Sequence, residues 1–126
     1  MLNSEYLKNL NKAQKEAVTF LDGPLLIVAG AGSGKTKVLT TRIANIIKEK
    51  KAYPNQILAV TFTNKAASEM KSRIGDALNF PIDNMWVGTF HSLSLRILSQ
   101  HYEEVGLRKN FLIIDVDDQL KLIKIN

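Results

Sequence analysis

The chain has 126 residues, of which 45% are apolar and 23% are charged, so we expect one globular domain or a piece of one. Its 17 Lys and Arg residues outnumber its 12 Asp and Glu residues, and the net charge of +5 favours a polyanionic partner. The absence of cysteine excludes disulfides and thiolate metal sites. We find no secretory leader and no apolar run long enough to span a bilayer, so we expect a cytoplasmic protein without a membrane partner.

The first predicted elements are a helix, a strand and a second helix. Asn11 is placed as the N-cap of the first helix, and Gln14 is placed to complete a capping box with it. Asp22-Gly23-Pro24 ends that helix. The apolar run 25–29 predicts the first buried strand, and residues 37–48 predict an amphipathic helix.

A glycine-rich segment lies between this strand and this helix, and it matches the phosphate-loop pattern G-x-x-x-x-G-K-[ST] except for Ala29 at the first position. Glycines let backbone N–H groups converge on an anion, and the start of a helix adds further donors. Lys35 is expected to reach the β- and γ-phosphates of ATP, and the Thr36 hydroxyl to hold Mg²⁺. Alanine fits at position 29 only if its φ is negative. The predicted nucleotide-binding residues of the loop are Ala29, Gly30, Ala31, Gly32, Ser33, Gly34, Lys35, Thr36 and Lys37. The alternative is a chance match in a flexible loop, which the flanking strand and helix disfavour.

The remaining pattern continues as alternating strands and helices. Strands are predicted over 56–62 and 85–89, and helices over 64–78 and 91–104. The strand segments are apolar throughout, which is typical of strands covered on both faces in a parallel sheet. We therefore predict a three-layer α/β fold whose ligands lie at the carboxyl ends of the strands.

Four blocks of sequence, at residues 10–18, 29–36, 59–70 and 87–93, resemble the early motifs of superfamily 1 DNA helicases of the UvrD/Rep/PcrA type. The resemblance implies a RecA-like P-loop NTPase sheet that is incomplete in this chain. It places residues 1–108 in ATP-binding domain 1A and residues 109–126 at the start of the inserted helical subdomain 1B. The phosphate loop of this family also accepts alanine at its first position.

The resemblance also implies two contacts with the adenine base. Gln14 is similar to the glutamine with which the family recognises adenine, although it could instead serve only the capping box. Arg42 is similar to an arginine that packs on the adenine face, and without the resemblance it would be a solvated helix residue.

Two of the four blocks, at residues 59–70 and 87–93, resemble motifs Ia and Ib, which contact single-stranded DNA in the family. The implied DNA-binding residues are Thr61, Phe62, Thr63, Asn64 and Lys65 in motif Ia, and Thr89, His91 and Ser92 in motif Ib. Phe62 would stack on a base, although the sequence alone favours a place in the core. Thr63 or Asn64 could instead cap the next helix, and His91 could be a packed or capping residue. No metal-ligand pattern accompanies His91 or His101, so Mg²⁺ is expected to arrive with the nucleotide.

An apolar run at 111–114 followed by Asp115 is similar to a Walker B strand. The next residue is Val116, where a helicase needs a glutamate to activate the attacking water. We therefore expect Asp115 or Asp117 to cap the last helix instead.

The function implied by the resemblance is an ATP-dependent DNA helicase that moves 3′→5′ along single-stranded DNA or at DNA junctions, in repair or replication. No residues match motifs II to VI, and the last residues carry no helix stop signal, so we expect a truncated piece without the other helicase domains. Such a piece should bind ATP weakly and hydrolyse it negligibly. The alternatives are the helicase arm of a recombination helicase–nuclease and a stand-alone, non-catalytic nucleotide- or DNA-binding module.

Overall fold

The computed structural model describes residues 7–30, 32 and 34–125, which contain five α-helices and a two-stranded parallel sheet. In chain order the elements are α1 (Lys12–Thr19), α2 (Lys35–Lys48), β1 (Leu58–Thr61), α3 (Asn64–Leu78), β2 (Trp86–Thr89), α4 (Phe90–His101) and α5 (Val116–Ile125), with 3-10 turns at Pro54–Gln56 and Tyr102–Val105. None of the helices in this described part combines the length and apolarity that crossing a membrane requires. The contacts divide the chain into two compact units, one up to Leu93 and the other from Ser94 onward.

Helix α1 begins with the predicted capping box. The Asn11 side chain accepts a hydrogen bond from the Gln14 backbone N–H at 2.8 Å, and Gln14 Oε1 accepts one from the Asn11 N–H at 3.0 Å. The two bonds satisfy N–H groups that a helix start otherwise leaves unpaired. Near the other end of α1, Asn45 of α2 is buried and donates to the Val18 carbonyl at 3.1 Å, which ties the two helices together.

The core of the first unit forms where α3 packs on α2 and on the sheet. β1 and β2 are parallel, with Leu58 opposite Trp86 and Thr61 opposite Thr89, and α3 is the crossover between them. The predicted helix 64–78 is confirmed, and its apolar face is buried as the helical spacing indicates. The central cluster consists of Ile43, Ala44, Ala59, Met70, Ile74, Leu78, Ile82 and Met85.

The predicted strand at 25–29 is wrong for this chain. The segment has irregular backbone, and the side chains of Leu26 and Val28 are 86% and 88% exposed. A strand is defined by hydrogen bonds to a neighbour, and within the described residues β1 and β2 are the strands that pair. The apolar run therefore lacks the neighbouring strands that would hold it extended and cover its faces, and the predicted three-stranded sheet is reduced to two strands.

The second unit contains the end of α4, a 3-10 turn and α5. The helix predicted over 91–104 ends at His101 and continues as the 3-10 turn, whose chain reversal at Gly106 uses a φ of 77°. Asp115 accepts a hydrogen bond from the Asp118 N–H at 2.8 Å, which confirms it as the cap of the last helix. Residues 111–115 form no strand, so the resemblance to a Walker B strand has no structural counterpart.

Candidate phosphate and nucleic-acid sites

The glycine-rich loop has the backbone geometry that its glycines predict. Gly32 and Gly34 have φ values of 76° and 82°, in the left-handed region that favours glycine. Gly34 is the N-cap of α2, and Lys35 is its first residue. Because glycine has no side chain, the N-cap itself offers no acceptor to the first-turn N–H groups of α2. The first-turn N–H groups of α2 could therefore donate to an anion bound in the loop.

Ala29 occupies its position without strain. Among the described non-glycine residues, positive φ occurs at Lys50 and Asn79. The φ of Ala29 is therefore negative, which confirms the condition for alanine at this position. The predictions for Ala31 and Ser33 lie outside the described residues. Gly30 has open space where a Cβ would lie, so the chain there allows close approach of a ligand.

Gln14 lies against the glycine-rich loop. A Cβ built on Gly34 would lie 3.2 Å from Gln14 Nε2, a tight contact with the end of a flexible side chain, so the positive φ of 82° is what favours glycine there. A cavity of about 310 Å³ is lined by Gln14, Ala29 and Lys35, among others. The structure therefore brings the two predicted motifs together. Gln14 Oε1 accepts from Asn11, so its capping role is confirmed and its adenine contact stays a prediction.

The first turn of α2 presents three exposed polar side chains at the end of the loop, those of Lys35, Thr36 and Lys37. The Lys37 ammonium donates to the Asn9 carbonyl at 3.2 Å, which attaches the segment before α1 to the start of α2. Lys35 is the one that lines the cavity shared with Gln14. The geometry therefore separates the two lysines, with Lys35 toward the cavity and Lys37 toward the backbone of the preceding segment.

Arg42 has a structural partner that the sequence did not indicate. Its Nε and Nη2 donate to the Phe20 carbonyl at 3.2 and 3.0 Å, and Phe20 is the C-cap of α1. The last carbonyls of a helix have no partner within the helix, and the guanidinium satisfies one of them here. Arg42 is half-buried and bonded to α1, and its adenine contact, which would use a surface other than these two donors, stays a prediction.

The sheet register brings motifs Ia and Ib side by side. Thr61 pairs with Thr89 at the carboxyl ends of β1 and β2, so the two motifs leave the sheet at the same edge. Phe62 follows Thr61 immediately, and its side chain is 97% exposed. The core interpretation of Phe62 is therefore wrong.

In motif Ia, a threonine caps the following helix. Thr63 Oγ1 accepts a hydrogen bond from the Ala66 N–H at 3.0 Å, and the Thr61 hydroxyl donates to the Thr63 carbonyl at 2.9 Å. This confirms the capping alternative for Thr63. Asn64 and Lys65, in the first turn of α3, are exposed at the same edge.

In motif Ib, two hydroxyl residues cap each other's backbone. Ser92 Oγ accepts from the Thr89 N–H at 2.9 Å, and Thr89 Oγ1 accepts from the Ser92 N–H at 3.1 Å. This pairing fixes the passage from β2 into α4. His91 lies between the two residues in sequence and is exposed, so it is not packed in the core.

Gly88 keeps the space that this pairing needs. A Cβ at Gly88 would lie 2.5 Å from Ser92 Oγ and 3.3 Å from the Leu93 side chain. We predict that Gly88→Ala displaces Ser92 and lowers the free energy of unfolding by about 1–3 kcal/mol. Urea denaturation measures the change. The control is Gly75→Ala in α3, where the nearest atom is 3.4 Å away and the higher helix propensity of alanine makes the change neutral or stabilising. Equal losses in the two variants would contradict the prediction.

In the described part of the chain, no group of three or more His, Cys, Asp or Glu side chains is placed to hold a metal ion. The contact of Thr36 with an Mg²⁺ ion that arrives with the nucleotide stays a prediction.

Comparison with known proteins identifies the family of this chain. The model of the UvrD/REP helicase N-terminal domain family matches residues 10–126. The ATP-dependent DNA helicase PcrA of Bacillus subtilis is 51% identical over 123 residues, which cover 98% of this chain and 17% of the relative. The probable DNA helicase II homolog of Rickettsia conorii is 52% identical over 126 residues, 98% of this chain and 19% of the relative. The chain thus spans less than a fifth of the length of these relatives. It belongs to the UvrD/REP helicase N-terminal domain family.

Proposed function

We propose that this chain is the nucleotide-binding part of an ATP-dependent DNA helicase, with residues 1–108 in a RecA-like domain 1A and residues 109–126 at the start of subdomain 1B. Family membership supports the proposal, because the Bacillus subtilis relative is named an ATP-dependent DNA helicase and the Rickettsia conorii relative a probable DNA helicase II homolog. The complete polypeptide would move 3′→5′ along single-stranded DNA, in repair or replication. In that polypeptide, further strands would complete the sheet of the three-layer fold and cover the apolar run 25–29.

The nucleotide site is supported chiefly by the loop that leads directly into α2, in which Gly32 and Gly34 have positive φ. Backbone N–H groups at a helix start and a neighbouring ammonium suit a triphosphate. Lys35 would neutralise the β- and γ-phosphates, and the Thr36 hydroxyl would help to hold Mg²⁺. Gln14 and Arg42 would contact the base. Bound Mg·ATP would supply the phosphoryl group that the complete enzyme transfers to water.

The proposed DNA interface is the edge where β1 and β2 end. The exposed ring of Phe62 directly follows β1, and the exposed Asn64 and Lys65 lie in the first turn of α3. The exposed His91 lies just after the end of β2. An aromatic ring stacks on any base, and the polar groups suit phosphates, so this edge would bind single-stranded DNA with little sequence preference. The Thr63, Thr89 and Ser92 side chains would position the edge through their capping bonds.

We also propose that this chain alone does not hydrolyse ATP appreciably. Asp115 caps α5 and is followed by Val116, so it is not paired with a glutamate that could activate water. Without such a group, a bound triphosphate would lack a major source of transition-state stabilisation.

The DNA interface is tested by Phe62→Ala. We expect the affinity for a fluorescently labelled oligo(dT) to fall about tenfold, because one base loses its stacking partner. Fluorescence anisotropy at fixed salt measures the change. The control is Phe80→Ala, which removes a 46% exposed ring after the end of α3, away from the carboxyl ends of the strands. Equal losses in the two variants would contradict a specific role for Phe62.

A further inference from the structure

A second exposed phenylalanine occupies the position on the neighbouring strand that corresponds to Phe62. Phe90 directly follows Thr89, as Phe62 follows Thr61, and these two threonines are paired across the sheet. Neighbouring strands are about 4.8 Å apart, so the backbones of the two phenylalanines leave the sheet close together. The Phe90 side chain is 67% exposed, and that of Phe62 is 97% exposed.

Residues other than Phe90 make the capping bonds and the core contact at the start of α4. The hydroxyls of Thr89 and Ser92 make the capping bonds at the start of α4, and Leu93 is the residue of α4 that enters the core. Two exposed phenylalanines at neighbouring positions of one sheet edge form a surface that suits a ligand with an apolar face. Lys65 at the same edge favours a ligand that is also anionic.

We propose that Phe62 and Phe90 form a two-ring platform that stacks on neighbouring bases of a single strand. The proposal depends on the proposed DNA interface and names a second base-contacting residue within it. The strand spacing of about 4.8 Å exceeds the rise of about 3.4 Å between stacked bases. The platform therefore favours a strand whose bases are already unstacked, and oligo(dT) binds more tightly than oligo(dA), whose bases must first be separated.

The platform is tested with Phe90→Leu, which keeps an apolar side chain and removes the aromatic face. The ligands are oligo(dT) of about 12 nucleotides, within the usual site size for single-strand binders, and an abasic strand of the same length. We expect Phe90→Leu to weaken oligo(dT) binding about tenfold and to leave binding of the abasic strand unchanged. The matched control, Phe80→Leu, should change neither affinity.

Each other outcome overturns a defined part of the account. Equal weakening of both ligands by Phe90→Leu would show a structural role and overturn the platform. A second result would also overturn the platform: Phe62→Ala loses the preference for oligo(dT) over the abasic strand, while Phe90→Leu binds oligo(dT) as tightly as the unchanged chain. Phe90 would then contribute to packing against protein and not to base stacking. If the unchanged chain bound the abasic strand as tightly as oligo(dT), both the platform and the stacking role of Phe62 would fall.

Discussion

Replacing Ile74 with alanine is expected to lower the free energy of unfolding by about 2–5 kcal/mol. Ile74 has no exposed surface, and it lies in the cluster where α3 packs on α2 and on the sheet. Truncation removes buried apolar groups and leaves a cavity in this cluster, into which the surrounding side chains relax only in part. Urea or thermal denaturation followed by circular dichroism measures the loss.

The matched control for this prediction is Ile97→Ala in α4, where the isoleucine is 47% exposed and the expected loss is about 1 kcal/mol or less. Domains of this size have total stabilities of only about 5–15 kcal/mol, so Ile74→Ala could leave little folded protein. Ile74→Val then gives a graded measurement, with an expected loss of about 0.5–1.5 kcal/mol. Similar losses at positions 74 and 97 would contradict the assigned core.

Replacing Lys35 with alanine is expected to weaken Mg·ATP binding about ten- to a hundredfold without changing the stability of the fold. Lys35 is exposed and lines the cavity next to Gln14, so its ammonium is accessible to the phosphate that we expect there and is not buried in the core. Hydrogen bonds to charged groups contribute about 1.5–3 kcal/mol, which corresponds to this range of affinity. Isothermal titration calorimetry with the unchanged and substituted chains measures the difference.

The control for Lys35 is Lys48→Ala, which removes the same charge at the opposite end of α2. We expect its affinity for Mg·ATP to stay within a factor of about two of the unchanged chain, because solvent and salt screen charges at that distance. An equal loss in the two variants would indicate a general effect of net charge and would contradict the phosphate-loop assignment.

Local signals in the sequence predicted the helices well. The Asn11 and Gln14 capping box and the bounds of α3 follow from hydrogen bonds and contacts between residues three or four apart, which the sequence displays directly. Local signals could not decide whether residues 25–29 form a strand, and the strand predicted there was wrong. Apolar residues indicate that burial of a segment is favourable, but a strand forms only where a neighbouring strand can pair with it.

The candidate sites divide in the same way. The positive φ of Gly32 and Gly34 was predictable from the loop pattern, because few other residues adopt that conformation. The bond from Arg42 to Phe20 joins residues 22 positions apart, so no local pattern could indicate it. The exposure of Phe62 and Phe90 depends on tertiary packing, and their neighbouring positions depend on the strand register.

Residue-resolved NMR of the ¹⁵N-labelled chain tests the central claim most directly, because it follows nucleotide and DNA binding separately in one sample. On addition of Mg·ATP, we predict amide shift changes in the glycine-rich loop and the first turn of α2, with Gln14 also affected. On addition of oligo(dT), we predict changes at residues 61–65 and 89–92. Changes by either ligand that were confined to other surfaces, or the absence of changes at saturating concentrations, would contradict the assignment of this chain as a nucleotide- and DNA-binding part of a helicase.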